Sequence, residues 1–201
     1  MTRRIIFPLV TIGLALAICA AFVDRPLALW LDAQFKGTAT FAAAAAIFRP
    51  VDGVFIAGFL LLAVSFIARR LFRAPVPPLP IISGATAMTA AVVAGVALKI
   101  AVGRSQVVPG FLDQHIYGLR PFALSETYMG FPSATMAGAA GFLTGLGARS
   151  ALARAAGAGI LVVLAVALLV TNGHWLSDII GGTALGVLIG VRIAAMSRRG
   201  N

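Results

Sequence analysis

The sequence predicts an all-α polytopic membrane protein, with six transmembrane helices and an interfacial helix after the first span. Three observations carry that expectation. Of the 201 residues, 60% are hydrophobic and 11% charged, and the mean hydropathy is +1.01, whereas soluble domains hold apolar residues plus glycine to roughly 45–50%. The apolar residues fall in stretches approaching the roughly 20 that cross a bilayer. Finally, the 16 Lys and Arg and the 6 Asp and Glu, which sum to +10, sort by loop. In a soluble chain such a charge would raise the question of nucleic acid; here the apolar content excludes that class of partner. The length fits a single domain, residues 1–201.

The first span, residues 5–23, follows Arg3 and Arg4 and is free of charge over 19 residues. A cleaved signal peptide, with small residues near Cys19 and Ala20, is the alternative, but its apolar region would be long for one. Residues 26–50 are mixed, with Trp30, Asp32, Phe35, Lys36 and an alanine run at 42–46, and read as a helix lying along the membrane interface. The second span is 53–68. Pro75, Pro77, Pro78 and Pro80 then stiffen the turn into the third, which covers 79–98. The remaining spans are 132–146, 157–170 and 176–195. Gly138, Gly141 and Gly145, and Gly182, Gly186 and Gly190, recur at spacings that let helices pack closely. A single cysteine, Cys19, leaves no disulfide framework and no cysteine metal cluster.

Six spans put both termini on one side. That side carries ten cations and no acid: Arg3, Arg4, Arg69, Arg70, Arg73, Arg149, Arg154, Arg192, Arg198 and Arg199. The other carries six cations, Arg25, Lys36, Arg49, Lys99, Arg104 and Arg120, and all six acids, Asp24, Asp32, Asp52, Asp113, Glu126 and Asp178. The positive-inside rule then makes the termini cytoplasmic. The expected location is a bacterial inner membrane, with every acid and both histidines on the outer, periplasmic side.

Polar residues gather at three outer span ends. Lys99 and Arg104 leave the third span; snorkelling to the headgroups is the plain account of such a pair. Pro132, Ser133, Ala134 and Thr135 open the fourth span, where proline suits a first helical turn and the free backbone N–H groups form an anion site. His174 and Asp178, four residues apart, share a face if both are helical. A carboxylate so placed fixes the imidazole tautomer and steadies its positive charge, leaving the other nitrogen to attack. The alternative is a structural His–Asp pair. One His and one Asp are too few to hold a metal, and no spacing brings His115 to them. Gly110, Gly118 and Pro121, in the 107–130 loop that also carries His115 and Glu126, suggest a lid.

These features resemble the type 2 phosphatidic acid phosphatase family, the membrane branch of the superfamily that includes vanadium haloperoxidases. The resemblance spans about residues 98–186. Lys99 matches the lysine of the first motif (Lys, six residues, Arg-Pro), Pro132-Ser133 opens the second (Pro-Ser-Gly-His), and His174 with Asp178 fills the third (Ser-Arg, five residues, His, three residues, Asp). Gln106-Val107 stands at the Arg-Pro of the first motif, Ala134-Thr135 at the Gly-His of the second, and Ala167-Leu168 at the Ser-Arg of the third. The resemblance implies a histidine nucleophile, His174, an orienting Asp178, and phosphate held by Lys99, Ser133 and the helix amides at Ala134 and Thr135; Arg104, two residues before Gln106, or Arg120 is expected to stand in for a missing arginine. It also implies that two clamping arginines and the general-acid histidine are missing. No metal or cofactor is implied.

The expected activity is hydrolysis or transfer of a lipid phosphate or diphosphate at the outer leaflet, with a phosphorylated lipid as substrate and membrane lipids as surroundings. Loss of a general acid costs about 10²–10⁴ in rate, and less where the leaving group is itself a phosphate. Two other classes stand beside it: a catalytically silent protein that binds anionic headgroups or scaffolds membrane enzymes, and a small transporter. The transporter lacks an evident broken span or inverted repeat.

Overall fold

A computed structural model describes residues 3–72, 79–147 and 150–199 of the chain. Pro75, Pro77 and Pro78 of the predicted turn, and Arg73 and Arg149, lie outside the described residues. Within them the protein is helical, with no strand and one isolated bridge between Arg104 and Leu119. The helices are α1 (Arg3–Ile18), α2 (Asp24–Phe35), α3 (Ala39–Phe48), α4 (Val51–Phe72), α5 (Leu79–Val102), the single turn α6 (Leu112–Gln114), α7 (Ala134–Gly145), α8 (Ala151–Val170) and α9 (Leu176–Arg199). Five stretches are long and apolar enough to cross a membrane: Val10–Phe35, Gly53–Leu71, Leu79–Val102, Ala151–Val170 and Leu176–Ser197. The chain is thus an all-helical membrane protein.

Three departures from the sequence reading position the site. First, α1 does not end at residue 23. It widens through a π-helical turn, Cys19–Val23, closed by a bond from the Asp24 N–H to the Cys19 carbonyl, and runs on into α2. Such a turn inserts one residue into the ladder, and the first residue after it, Asp24, is buried. Second, the single helix expected over residues 26–50 is two, α2 and α3, parted at Gly37, whose φ of +77° suits glycine. Thr38 caps α3 by accepting the Phe41 N–H at 3.2 Å.

Third, the stretch expected to form the fourth span is the shortest helix of the central group. α7 has 12 residues, or about 18 Å at 1.5 Å per residue, against a hydrocarbon core of about 30 Å. Pro132 and Ser133 do not sit in its first turn. Ser133, at φ −64° and ψ 111°, is the N-cap, and its hydroxyl accepts the Met136 N–H at 3.3 Å. A short helix is tolerated because α7 lies inside, against α5 and α9, with Met136, Ala137, Gly138, Ala140, Gly141 and Gly145 all buried.

Small residues set how closely those helices approach. Gly182, Gly186 and Gly190 of α9 face the carbonyls of Ser133, Ala137 and Gly141, so parallel α7 and α9 meet every fourth residue along one seam. Gly141 and Gly145 of α7 also lie against Ala87 and Ser83 of α5. Backbone contact of this kind replaces the hydrophobic drive that lipid-bathed helices lack. It also fixes axial register: the N-termini of α7 and α9 and the C-terminus of α5 finish at one end of the bundle.

A Cβ on Gly190 would sit 2.8 Å from the Gly141 oxygen, and one on Gly186 2.8 Å from the Ala140 Cβ and still closer to the Ala137 carbonyl. Gly186→Ala is therefore expected to destabilise the protein by about 1–3 kcal/mol, the usual cost of overpacking. Gly159→Ala in α8, where an added Cβ meets nothing within 4 Å, should be neutral or slightly stabilising through helix propensity. Thermal unfolding of both variants in one detergent separates the two outcomes.

Candidate functional site

The site end is built around Arg104, just beyond α5. Gly103, at φ +58°, turns the chain there, and any Cβ would run into the Arg120 carbonyl, so only glycine fits. Behind it the segment 104–106 is sandwiched by two lengths of the long loop: Ser105 N–H donates to Gly118 O at 3.0 Å, Gln106 N–H to Thr127 O at 2.8 Å, and Gly130 N–H to Arg104 O at 2.9 Å. The Arg104 side chain points inward and is buried.

There its guanidinium meets two buried carboxylates. Nη2 is 2.7 Å from Asp24 Oδ2 and Nη1 is 2.8 Å from Asp178 Oδ1. Nη1 also donates to the Ser177 hydroxyl. That hydroxyl donates in turn to Asp24 Oδ2 at 2.5 Å, and the Ser177 N–H reaches Asp24 Oδ1 at 3.1 Å. The Arg104 guanidinium carbon lies 5.4 Å from the centre of the Trp175 ring and 6.0 Å from that of Tyr117, within cation–π range. Burial works against the Arg104 charge, but Asp178 and Asp24, with Tyr117, outweigh it and raise the guanidinium pKa. Arg104 is therefore cationic throughout the physiological range.

Local sequence explains how α8 delivers His174 to this place. Thr171-Asn172-Gly173 closes α8 with paired bonds, Asn172 N–H to Leu169 O and Gly173 N–H to Leu168 O, both 2.9 Å. This is the Schellman arrangement. Asn172 takes the left-handed conformation, φ 52°, which its side chain tolerates better than most. α9 then begins: the Trp175 carbonyl accepts the Ile179 N–H, and Asp178 Oδ2 reaches back to the Trp175 N–H at 3.3 Å. An acid in the first turn bonded to the capping residue's N–H is half of a capping box and sits well with the helix dipole.

His174 thus precedes the helix, and the shared helical face expected for His174 and Asp178 is not how they meet. The imidazole comes up from the turn, Nδ1 lying 3.5 Å from Asp178 Oδ2 without hydrogen-bond alignment; this buried nitrogen has no hydrogen-bond partner among the described residues. Asp178 divides its oxygens, Oδ1 to Arg104 and Oδ2 to the cap of α9.

The remaining expected residues fall close by in the chain's fold but in other roles. Ser133 is fully buried; its hydroxyl caps α7 and its N–H donates to the Asp178 carbonyl at 3.0 Å. That bond ties the starts of α7 and α9 together. Ala134 and Thr135, half-buried, form the first turn of α7. Lys99 does not run to the headgroups. Its Nζ donates to the carbonyls of Met129 and, at 3.2 Å, Gly130, holding the segment that leads into α7.

The motif departures have structural homes as well. The Gln106 amide donates to Glu126 O at 2.7 Å within the loop, and Leu168 lies in an apolar cluster with Met136, Leu164 and Ile179. Arg120 is exposed and stacks on Tyr128, 5.8 Å from the ring centre, and His115 is exposed at φ 58°.

Residues that sequence reasoning passed over complete the cluster: Asp24, Ser177, Trp175 and Tyr117. Trp175 donates its indole N–H to Ser105 O at 2.7 Å and stacks with Phe111 and Tyr117. Tyr117 donates to Ala20 O at 2.5 Å, bridging the loop to the π-helical turn. The available signal for Asp24 was an acid next to an uncharged span.

Comparison with known proteins adds nothing to this geometry: no family model matches the chain, and neither curated proteins nor solved structures yield a match.

Removing Arg104 would leave two buried carboxylates without their counter-charge. Arg104→Met is expected to cost about 3–5 kcal/mol, as for other broken buried ion pairs. Adding Asp24→Asn removes one of the stranded charges and should restore part of the loss. Chemical unfolding of the two single variants and the double variant in detergent gives the coupling; strict additivity would contradict the arrangement.

Proposed function

We propose that the protein binds phosphorylated lipid headgroups at its periplasmic face and hydrolyses or transfers the phosphoryl group through His174. The observation that carries this reading is the His174 imidazole, whose Nδ1 faces the Asp178 carboxylate at 3.5 Å beside the joined N-termini of α7 and α9. With Nδ1 turned to Asp178, Nε2 is the nitrogen that attacks phosphorus. Asp178 steadies the imidazolium that forms, the leaving group departs, and water then attacks phosphohistidine to release phosphate.

Phosphate oxygens would be held by Lys99, by the first-turn amides of α7 at Ala134 and Thr135, and by the Thr135 hydroxyl. Ser133 acts by setting that turn, since its own hydroxyl and N–H are committed. Arg104 acts by charge on Asp178. With threonine where the resemblance calls for a general-acid histidine, a leaving group that departs without a proton is favoured, and a phosphate does so more readily than an alkoxide. Lipid diphosphates are therefore the preferred substrates.

A second reading, a silent headgroup binder, is favoured by one observation: the Arg104 guanidinium, the strongest cation at the site, is already shared by Asp24 and Asp178. Phosphate release by the purified protein from monophosphate and diphosphate lipids decides between them. Release from diphosphates exceeding that from monophosphates, and falling at least 10²-fold in His174→Ala as for loss of a nucleophile, supports the enzyme. Rates equal in wild type and His174→Ala overturn it, and vesicle binding retained in both then supports the silent binder.

The topology belongs to the same proposal: six spans in a bacterial inner membrane, α7 being the short fourth, with both termini cytoplasmic. Its support is the charge separation along the bundle, Arg69, Arg70, Arg154 and Arg192 lying toward the helix ends away from His174. Asp24 bonds to Ser177 and Asp32 Oδ1 lies 3.5 Å from Asn172 Nδ2, so α2 runs beside the α8–α9 connection. A C-terminal fluorescent-protein fusion should be bright and the matching periplasm-dependent alkaline phosphatase fusion inactive; the reverse pair would invert the orientation.

A further inference from the structure

The long loop between α5 and α7 has an inner and an outer side of opposite character. Its inner side is the aromatic cluster of Phe111 and Tyr117 against Trp175. Its outer side is a run of exposed apolar residues: Leu119 is 66% exposed, Phe122 73% and Leu124 81%. Phe122 adopts φ 61°, a conformation unusual for a bulky residue.

The backbone fixes the height of this run. Arg120 N–H donates to Gly103 O at 2.6 Å and Phe122 N–H to Ile100 O at 2.7 Å. Ile100 belongs to the last turn of the α5 span. Phe122 therefore does not stand above the bundle in water. The loop folds back beside the end of α5 at Ile100, which shares a helix face with the exposed Val96 and Val93 one and two turns further along α5. Arg25 and Arg120 are exposed next to it, each over a tyrosine ring, 4.7 Å for Arg25 on Tyr117 and 5.8 Å for Arg120 on Tyr128. Exposed arginines close to apolar residues are the composition of a headgroup boundary.

We propose that residues 119–124 form a membrane-inserted wedge, with Leu119, Phe122 and Leu124 in the acyl region of the outer leaflet and Arg25 and Arg120 at its phosphates. The occupant is lipid because the apolar run is joined at Ile100 to the α5 face that carries Val96 and Val93 and is edged by cations. A lid over His174 would require the apolar side chains to turn inward, where Tyr117, Phe111 and Trp175 already fill the space. Water-exposed side chains of this size would form a costly apolar patch. The wedge stands independently of any catalysis at His174.

The test uses Phe122→Cys and Leu124→Cys, with Val93→Cys as the lipid-facing reference and exposed Asp113→Cys as the aqueous one, each in a Cys19→Ser background. Each is labelled with an environment-sensitive fluorophore and placed in nanodiscs of phosphatidylcholine with a minor share of phosphatidylglycerol. Labels at 122 and 124 should lose fluorescence to acyl-brominated lipid about as much as the label at 93, and resist iodide relative to the label at 113. Iodide quenching equal to that at 113, without quenching by brominated lipid, overturns the proposal in favour of a water-exposed loop. Protection from both quenchers overturns it in favour of a protein contact, either a lid or a second copy.

Discussion

A buried guanidinium shared by two buried carboxylates is the constraint on which this structure rests. Arg104, Asp24 and Asp178 come from a loop, a helix junction and a helix start that are far apart in sequence. None of the three charges is tolerable alone at such depth, because the desolvation cost of an unpaired ion is several kcal/mol. Holding them together fixes the π-helical turn of the first helix, the turn at Gly103 and the first turn of α9 at once. Trp175 and Tyr117 cover the guanidinium faces, and Ser177 satisfies the second carboxylate.

The glycine seams make that convergence geometrically available. Gly182, Gly186 and Gly190 let α9 approach the backbone of α7, and Gly141 and Gly145 let α7 approach α5. With axes this close, the ends of three helices arrive at one level, and Ser133 can bond its N–H to the Asp178 carbonyl. Packing in the middle of the bundle thus determines chemistry at its end. The cost is intolerance, since one methyl group at the seam meets a carbonyl oxygen.

The cluster also recasts the polar residues at the site end of the bundle. Lys99 and Ser133 look like anion-binding groups from sequence; the Ser133 hydroxyl caps α7, and two Lys99 N–H groups hold the carbonyls of Met129 and Gly130 in the segment leading into it. Asp178 serves three masters: the capping of α9, the charge of Arg104, and the imidazole of His174. His174 is left with the uncommitted nitrogen. The surrounding polar residues chiefly hold that imidazole and the α7 N-terminus in place.

The membrane class and the all-helical fold were legible in the sequence, because lipid imposes them residue by residue: apolar length and absent charge need no knowledge of neighbours. His174 and Asp178 do lie close, Nδ1 to Oδ2 3.5 Å, but the four-residue spacing pointed to a shared helical face, whereas His174 comes up from the turn before α9. The shortness of α7, the two helices in place of one after residue 24, and the burial of Asp24 were not legible. A helix may be too short to span only when others enclose it, and a carboxylate next to an apolar stretch reads as a boundary marker until an arginine 80 residues away in the chain is seen to need it. Sequence alone determined that the chain is a helical membrane protein, since apolar length is a local property; the tertiary structure decided which charges meet, since pairing of buried ions depends on distances that only the folded chain defines.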